Sequence, residues 1–340
     1  MPCYVGLDTS LRHTSVCIID KAGRVVKEGQ VETTPKALVE FLRGDRRRYA
    51  AVGMETGALS AWLCRGLKRA GLPVASIDAR HAHGALKTQP NKTDRADARG
   101  IAQLMRTGSF KAVHLKSLES STARGLLTSR RLLIAKLRDL QNGVRGLLLA
   151  FGLKLPHGQV FGFEKRVLGF VRNHKEAATV VRSLMTVCSA VVKEIAALNA
   201  CLAQLAAEDP VCRLLTSAPG IGPLTALMFR SAIDQPERFS KSRTVGPMLG
   251  LTPRTHQSGE IERRGRISKC GDAEVQAALY MAAWTLMRSN SRRSWLKDWG
   301  EELAARRGRK RAGVAIARRL AVVLHRMWVT NTPFRWERPA

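Results

Sequence analysis

Aromatic side chains are scarce in this chain, 5% of 340 residues. No run interleaves them with basic residues as a base-stacking platform would, so phosphate and shape are expected to dominate whatever it binds. Acids are scarce as well: 27 Asp and Glu stand against 57 Lys and Arg, a formal charge of +30. That imbalance departs from the near-neutral profile of most small-metabolite enzymes and creates an attractive field for a polyanion, either nucleic acid or an anionic membrane. The longest apolar runs, such as 145–151, fall far short of the ~20 residues of a membrane span, so no membrane partner is expected. Cysteines at 3, 17, 64, 188, 201, 212 and 270 form no Cys-x-x-Cys pair. A zinc ribbon and a redox dithiol are thereby excluded, and the thiols read as reduced and mostly buried. His81 and His83 have no matching Cys or His pair nearby and are expected in a surface loop. The N-terminus lacks the basic and apolar regions of a secretory signal, which makes the cytoplasm the expected location. What is present is 45% hydrophobic residues, enough for real cores and too many for a disordered basic tail.

Patterning divides the chain into segments 1–112, 113–209 and 210–340. In the first, Tyr4-Val5-Gly6-Leu7, Ser15-Val16-Cys17-Ile18-Ile19 and Val25-Val26, with a Lys21-Ala22-Gly23 turn, predict a three-strand meander. Thr34-Pro35 reads as an N-cap with proline at the first helical position. A strand at 49–54, a helix near 60–70, a strand at 74–77 and a helix over 94–105 complete the series. Three early strands followed by αβαβα is the order of an RNase H-like domain. The middle segment repeats Leu133, Leu137, Leu140, Val144 and Leu147, then Leu184, Val187, Val191, Ile195, Leu198, Leu202 and Leu205. This heptad spacing predicts two long helices, paired as an antiparallel hairpin, joined in an oligomeric coiled coil, or buried in a monomeric bundle. Asp209-Pro210 marks the next boundary. The final segment is basic and mainly helical, with a turn-rich stretch over 246–271. The fold class is therefore α/β plus α.

Three constellations carry chemistry. Asp8 ends the first predicted strand and Glu55 the fourth, while Asp94 and Asp97 lie three apart at the start of a helix, on neighbouring parts of one face. In an RNase H-like sheet the first and fourth strands are adjacent and the last helix crosses near their ends, which would converge the four acids. Such a cluster repels itself unless cations occupy it, and its hard oxygens suit Mg²⁺ or Mn²⁺. Two such ions could clamp the attacking and leaving oxygens of a phosphodiester. Taken singly the acids read better as structural, Asp8 at a strand end as a turn former and Asp94 as a partner of the helix dipole; together, in so basic a chain, they point to metal-held phosphate chemistry. The second constellation is Pro219-Gly220-Ile221-Gly222-Pro223, similar to the helix-hairpin-helix element that binds DNA backbone. Gly220 and Gly222 would let backbone N–H groups approach phosphate, and the alternative is a tight corner with no ligand. The third is Ser258, before Gly259 in a stretch with Arg254, Arg263, Arg264, Arg266 and Lys269, whose donors match phosphate oxygens. On chemistry alone the Ser-Gly pair is better read as a turn than as a nucleophile.

Five motifs occur in one order: Gly6-Leu7-Asp8-Thr9-Ser10, Met54-Glu55-Thr56-Gly57, Asn91-Lys92-Thr93-Asp94-Arg95-Ala96-Asp97, Pro219-Gly220-Ile221-Gly222, and Gly250-Leu251-Thr252-Pro253-Arg254 through Gln257-Ser258-Gly259 to Ser268-Lys269-Cys270-Gly271. Over nearly the whole chain the set resembles the DEDD transposases of the insertion-sequence one-ten family, a group that includes pilin-type DNA invertases. The resemblance implies a RuvC-like N-terminal domain, a coiled-coil linker and a C-terminal transposase domain. It assigns Asp8, Glu55, Asp94 and Asp97 to Mg²⁺ (or Mn²⁺) and Ser258 to nucleophilic attack. Glu260 and Cys270 depart from the commoner residues, which touches DNA contacts rather than the reacting groups.

The mechanism implied is recombination without hydrolysis. Ser258 attacks the scissile phosphate to form a 5′-phosphoserine and a free 3′-hydroxyl, and an exchanged 3′-hydroxyl then reseals the strand. The resemblance further implies donor and target DNA and a structured bridge RNA as partners, and a homodimer pairing into a tetramer, with serine and carboxylates drawn from different protomers. Two rivals stand beside it: a RuvC-like junction nuclease that hydrolyses DNA through the acids alone, and a nonenzymatic nucleic-acid-binding protein. Arg46-Arg47-Arg48, 306–311 and Arg318-Arg319 are the expected further phosphate contacts, with a solvated surface as the alternative for the first.

Overall fold

The computed structural model describes residues 2–44, 47–87, 93–156, 162–259, 261–268, 270–289 and 292–337. They form two compact units, 1–116 and 117–340.

The first unit contains β1 (Cys3–Thr9), β2 (His13–Ile19), β3 (Val25–Glu32), α1 (Pro35–Arg43), β4 (Tyr49–Glu55), α2 (Ser60–Arg69), β5 (Val74–Ile77), α3 (Ala79–Leu86) and α4 (Asp94–Thr107). The sheet order is β3-β2-β1-β4-β5. The first three strands are antiparallel and β1, β4 and β5 parallel. This agrees with the RNase H-like order read from the strand series. Alternation assigns the faces. Cys3, Val5, Leu7, Val52 and Met54 pack with Leu38 and Leu42 of α1 and Leu63 and Leu67 of α2. On the opposite face, Cys17 and Ile19 pack with Ala98 and Ala102 of α4, and Ile77 packs with Ile101, Leu104 and Met105. The caps act as their residue types predict: Thr34 accepts from the Ala37 amide and Thr93 from the Ala96 amide. His81 and His83 do not lie in a loop. Asp78 accepts from the Arg80 and His81 amides and starts α3 there, a local capping bond that outweighs the polar composition of the stretch.

The second unit contains α5 (Leu118–Leu149), α6 (Phe163–Val171), α7 (Lys175–Glu208), α8 (Pro210–Leu215), α9 (Pro223–Ile233), α10 (Val245–Met248), β6 (Pro253–Ser258), β7 (Ile261–Ile267), α11 (Ala273–Arg288), α12 (Trp295–Arg307) and α13 (Arg309–Thr330). The helices α5 and α7 are antiparallel. Ala123 and Leu127 share a cluster with Leu202 and Ala206, Leu137 with Cys188 and Ile195, and Val144 and Leu148 with Val181 and Met185. Their proximal ends belong to the C-terminal core, together with Phe229, Leu279, Leu320 and Leu324. For that reason 113–209 does not separate from 210–340 as its own unit. Among the described residues one helix, α7, is long and apolar enough to cross a membrane, with a mean hydropathy of 1.5 over 18 residues. Reading contiguous apolar runs missed it, because Lys193 and Glu194 interrupt the pattern. Here its apolar seam lies on α5.

Candidate functional site

The sheet brings two of the four acids side by side. Parallel pairing of Gly6 with Gly53 and Leu7 with Met54 continues to Asp8 and Glu55 at the strand ends. Both lie two residues beyond a glycine, and both glycines face α4. A Cβ on Gly6 would fall on the Ala98 carbonyl oxygen and Ala102 amide of that helix, and one on Gly53 would strike Met105. Glycine at position 6 is thus what lets α4 lie on β1. By period-two alternation Asp8 and Glu55 emerge on the same face as α4. The helix places Leu104 and Met105 beside Tyr4 and Ala51, at the starts of the strands, so its first turn points toward the strand ends. That turn carries Asp94, exposed, and Asp97, half-buried. Asp8 and Glu55 are half-buried.

Four carboxylates with no sulfur or nitrogen donor make a set suited to a hard divalent cation. In their present positions, no three His, Cys, Asp or Glu side chains among the described residues are close enough to hold one ion. The sheet unites Asp8 and Glu55, and the first turn of α4 contributes Asp94 and Asp97 to the same side. Asn91 and Lys92, the preceding residues of that motif, lie outside the described residues.

Glu28 of β3 is a participant the sequence reading missed. It accepts from Arg95 Nε at 2.6 Å and from Arg99 Nη2 at 2.8 Å, with a further contact to Arg99 Nε. Its side chain is only 7% exposed, and the two guanidiniums, Arg99 foremost, pull its carboxyl down to about 2. Arg95 and Arg99 sit one turn apart on α4, so one carboxylate on the sheet pins the turn that bears Asp94 and Asp97. Burial, then Glu28 itself, pushes the Cys17 thiol up to about 12 and leaves it inert. An Arg pair at i, i+4 was visible in the sequence; its acidic partner two strands away was not.

In the second unit, the stretch read as turn-rich contains a β-hairpin. Ser258 ends β6 and pairs with Ile261 of β7, and Gly259 next to it has φ +57. Such a turn matches strand twist only with left-handed residues, which glycine supplies. Ser258 is exposed, as are Arg254, Arg263 and Arg266. Arg263 stands opposite position 256, two residues before Ser258 on β6, so by period-two alternation Arg263 shares the face of Ser258. Side-chain placement of Arg264, and Glu260 and Lys269 altogether, lie outside the described residues. The hairpin base is anchored: Arg254 Nη2 donates to the Ser268 carbonyl at 3.0 Å, and Gln276 Nε2 donates to the Leu249 carbonyl at 2.5 Å. Arg124 pairs at 2.5 Å with Asp272, the N-cap of α11, and Arg131 pairs with Glu274. A rigid base and an exposed tip make Ser258 accessible to a large substrate.

The Gly-Ile-Gly element joins α8 to α9. Gly220 has φ +81, and a Cβ there would stand 2.5 Å from the Ala282 carbonyl oxygen of α11. Its glycine is required by packing. Gly222 differs: it caps α9 before Pro223 with open space around it. Of the basic clusters, Arg306, Arg307, Arg309, Lys310, Arg311, Arg318 and Arg319 are exposed, and so are Arg47 and Arg48. Arg46 lies outside the described residues.

Carboxylates at the strand ends of one unit and an exposed serine among arginines in the other are groups suited to chemistry on phosphodiesters. Comparison with known proteins narrows that chemistry. A DEDD transposase model matches residues 5–152, and the model described as Transposase IS116/IS110/IS902 family matches residues 212–297. The transposase for insertion sequence element IS1111A of Coxiella burnetii is 28% identical over 97% of this chain and 91% of that protein. A probable family 20 transposase of Pseudomonas aeruginosa is 25% identical over 97% of this chain and 98% of its own. The pilin gene-inverting protein of Moraxella bovis is 29% identical over 36% of this chain and 38% of that protein. A solved Thermus thermophilus RuvC aligns with 32% of this chain and 98% of its own at a TM-score of 0.25 and 18% identity. The chain belongs to the IS110 family of transposases and is a DNA transposase or recombinase.

Proposed function

We propose that the protein cuts and rejoins DNA strands through a 5′-phosphoserine at Ser258. The observation that carries this reading is the exposed Ser258 at the tip of an anchored hairpin, with Arg263 on its face. In the forward step Ser258 Oγ gives up its proton and forms a bond to phosphorus, the bond from phosphorus to the 3′ oxygen breaks, and that oxygen takes up a proton and leaves as a hydroxyl. The reverse step, with an exchanged 3′-hydroxyl, reseals the strand without an outside energy source. Arg254, Arg263 and Arg266 offer planar donors to the phosphate oxygens. Asp8, Glu55, Asp94 and Asp97 would hold Mg²⁺, which supplies charge neutralisation at the phosphate when bound. Gly222, at the open start of α9, together with the basic residues of α12 and α13, would position the DNA backbone. A bridge RNA that pairs with donor and target DNA would use part of the same positive surface. Dimers pairing into tetramers would bring the strands together, in the cytoplasm at the chromosome.

Incubation of Ser258→Ala with end-labelled DNA and Mg²⁺ tests the chemistry. The expected result is loss of the covalent protein–DNA adduct and of cleavage together. Full cleavage by this variant sinks the serine mechanism in favour of hydrolysis by the carboxylates. Metal holding has its own readout: Mn²⁺ binding followed by electron paramagnetic resonance should weaken at least about tenfold in Asp8→Asn, as expected when a charged oxygen ligand is lost.

A further inference from the structure

An aromatic pocket in the C-terminal unit lies apart from the acidic, glycine-turn and serine motifs and takes in only Arg319 of the basic clusters. Its floor is built by Trp295 of α12, Val323 of α13 and Phe334 of the chain's last segment, and its rim by Arg319, Arg326 and Arg335. Positions 319, 323 and 326 fall on one face of α13 by helical periodicity. The last segment is held in place rather than draped over the surface. Trp295 Nε1 donates to the Arg335 carbonyl at 3.0 Å, the Trp295 amide donates to the Trp336 carbonyl at 3.1 Å, and the Phe334 amide donates to Ser217 Oγ at 3.0 Å. Trp295 and Phe334 stack with centroids 6.4 Å apart, 12° from parallel. The pocket is therefore formed before any ligand arrives, which lowers the ordering cost of binding.

Its charge is one-sided. Arg319, Arg326 and Arg335 are exposed, and among the described residues none of them forms an ion pair. The Arg319 guanidinium lies 5.4 Å above the Trp295 ring. Among the described residues no acid lines this pocket, whereas in the adjoining cleft beyond Trp295 the acids Asp298, Glu302 and Glu337 offset Arg293, Arg319 and Arg326. A ligand that suits both parts is a flat apolar group carrying a negative charge. A base within a duplex is stacked on both faces and cannot enter; an unpaired one can.

We propose that this pocket takes one unpaired nucleotide of a single-stranded segment, its base on the Trp295 and Val323 floor and its phosphate among Arg319, Arg326 and Arg335. The acids beyond Trp295 offset the arginines that face that cleft, which leaves the aromatic pocket the more attractive place for the phosphate. Single-stranded DNA and an unpaired stretch of RNA offer the same chemistry. The inference rests on the reading of the chain as a nucleic-acid enzyme.

The test uses the full chain and two oligonucleotides carrying a single 5-iodouracil, one DNA and one RNA, irradiated and mapped by mass spectrometry. The expected adduct is on Trp295 or on residues 333–336, in whichever arm carries the natural strand. Its yield should fall at least about tenfold in Val323→Trp, which fills the floor and keeps every charge, and in Arg326→Ser, whose exposed position leaves folding intact. Adducts that map elsewhere in both arms, or that persist in both variants, overturn the pocket while leaving the enzymatic reading in place. Failure of either oligonucleotide to bind the chain at all would count against that broader reading as well.

Discussion

Glu28 shows how one side chain can govern a site it does not enter. Its folded carboxyl sits near 2, against an ordinary 4.5. The stabilisation it contributes is therefore complete above pH 4.5 and is lost as pH falls toward about 2. Arg95 and Arg99 are substantially exposed, 71% and 49%, so solvent screens the pairing and its contribution at neutral pH is modest. Glu28→Gln should flatten the loss of stability between pH 4.5 and 2 relative to the native chain, measured by urea unfolding. At pH 7 it should speed amide exchange across 94–107 while distant helices stay protected. Unchanged exchange there would show that Arg95 and Arg99 do not hold the helix through Glu28. At this scale the catalytic candidates were legible, because Asp8, Glu55, Asp94, Asp97 and Ser258 sit in recognisable motifs. Their supports were not, since Glu28 and Arg99 are 71 residues apart in the chain and no local pattern joins them.

Among the elements, α4 on the sheet is the contact on which the acidic edge depends. It approaches β1 so closely that Gly6 has no room for a side chain. Gly6→Ala must push backbone against backbone, and should cost about 1–3 kcal/mol by overpacking. Thermal unfolding should report that loss. Strand cleavage should fall further than DNA affinity, because the basic helices of residues 117–340 are untouched. Equal loss of both would mean that α4 does not place the acids. The hairpin of α5 and α7 illustrates a different limit. Its heptads predict two long helices and leave their pairing open; the structure shows both helices, yet the repeating run includes Leu147 and Val187, which are 41% and 46% exposed. The seam keeps Leu137 and Val144 of that run and then passes to Leu148, because a two-helix hairpin can bury only one stripe of each helix. If the exposed residues serve self-association, Leu147→Glu with Val187→Glu should shift light-scattering mass toward the monomer and leave helicity unchanged. An unaltered mass removes these two residues from any subunit contact.

For the whole molecule the dominant quantity is charge. A formal +30, part of it on exposed arginines of α12, α13 and the β6–β7 hairpin, predicts binding governed by counterion release. The logarithm of DNA affinity should fall linearly with the logarithm of salt, and Arg309→Ala with Arg311→Ala should reduce the slope by roughly two. A slope unchanged by that pair would remove both from the phosphate contacts. Composition also shows why aromatic content misled. The chain has only 6 tryptophans, but folding gathers Trp295 and Trp336 with Phe334 under arginines from another helix. By itself the sequence determined the strand series, the capped helices, the polyanion partner and the acidic and serine motifs, all of which depend on neighbours a few residues apart. Only the tertiary structure decided that Asp8 and Glu55 share the face of α4, that Glu28 clamps that helix, that Ser258 stands on a hairpin, and that an aromatic pocket exists. Each of those depends on contacts between residues far apart in the chain, where local propensity and spacing carry no information.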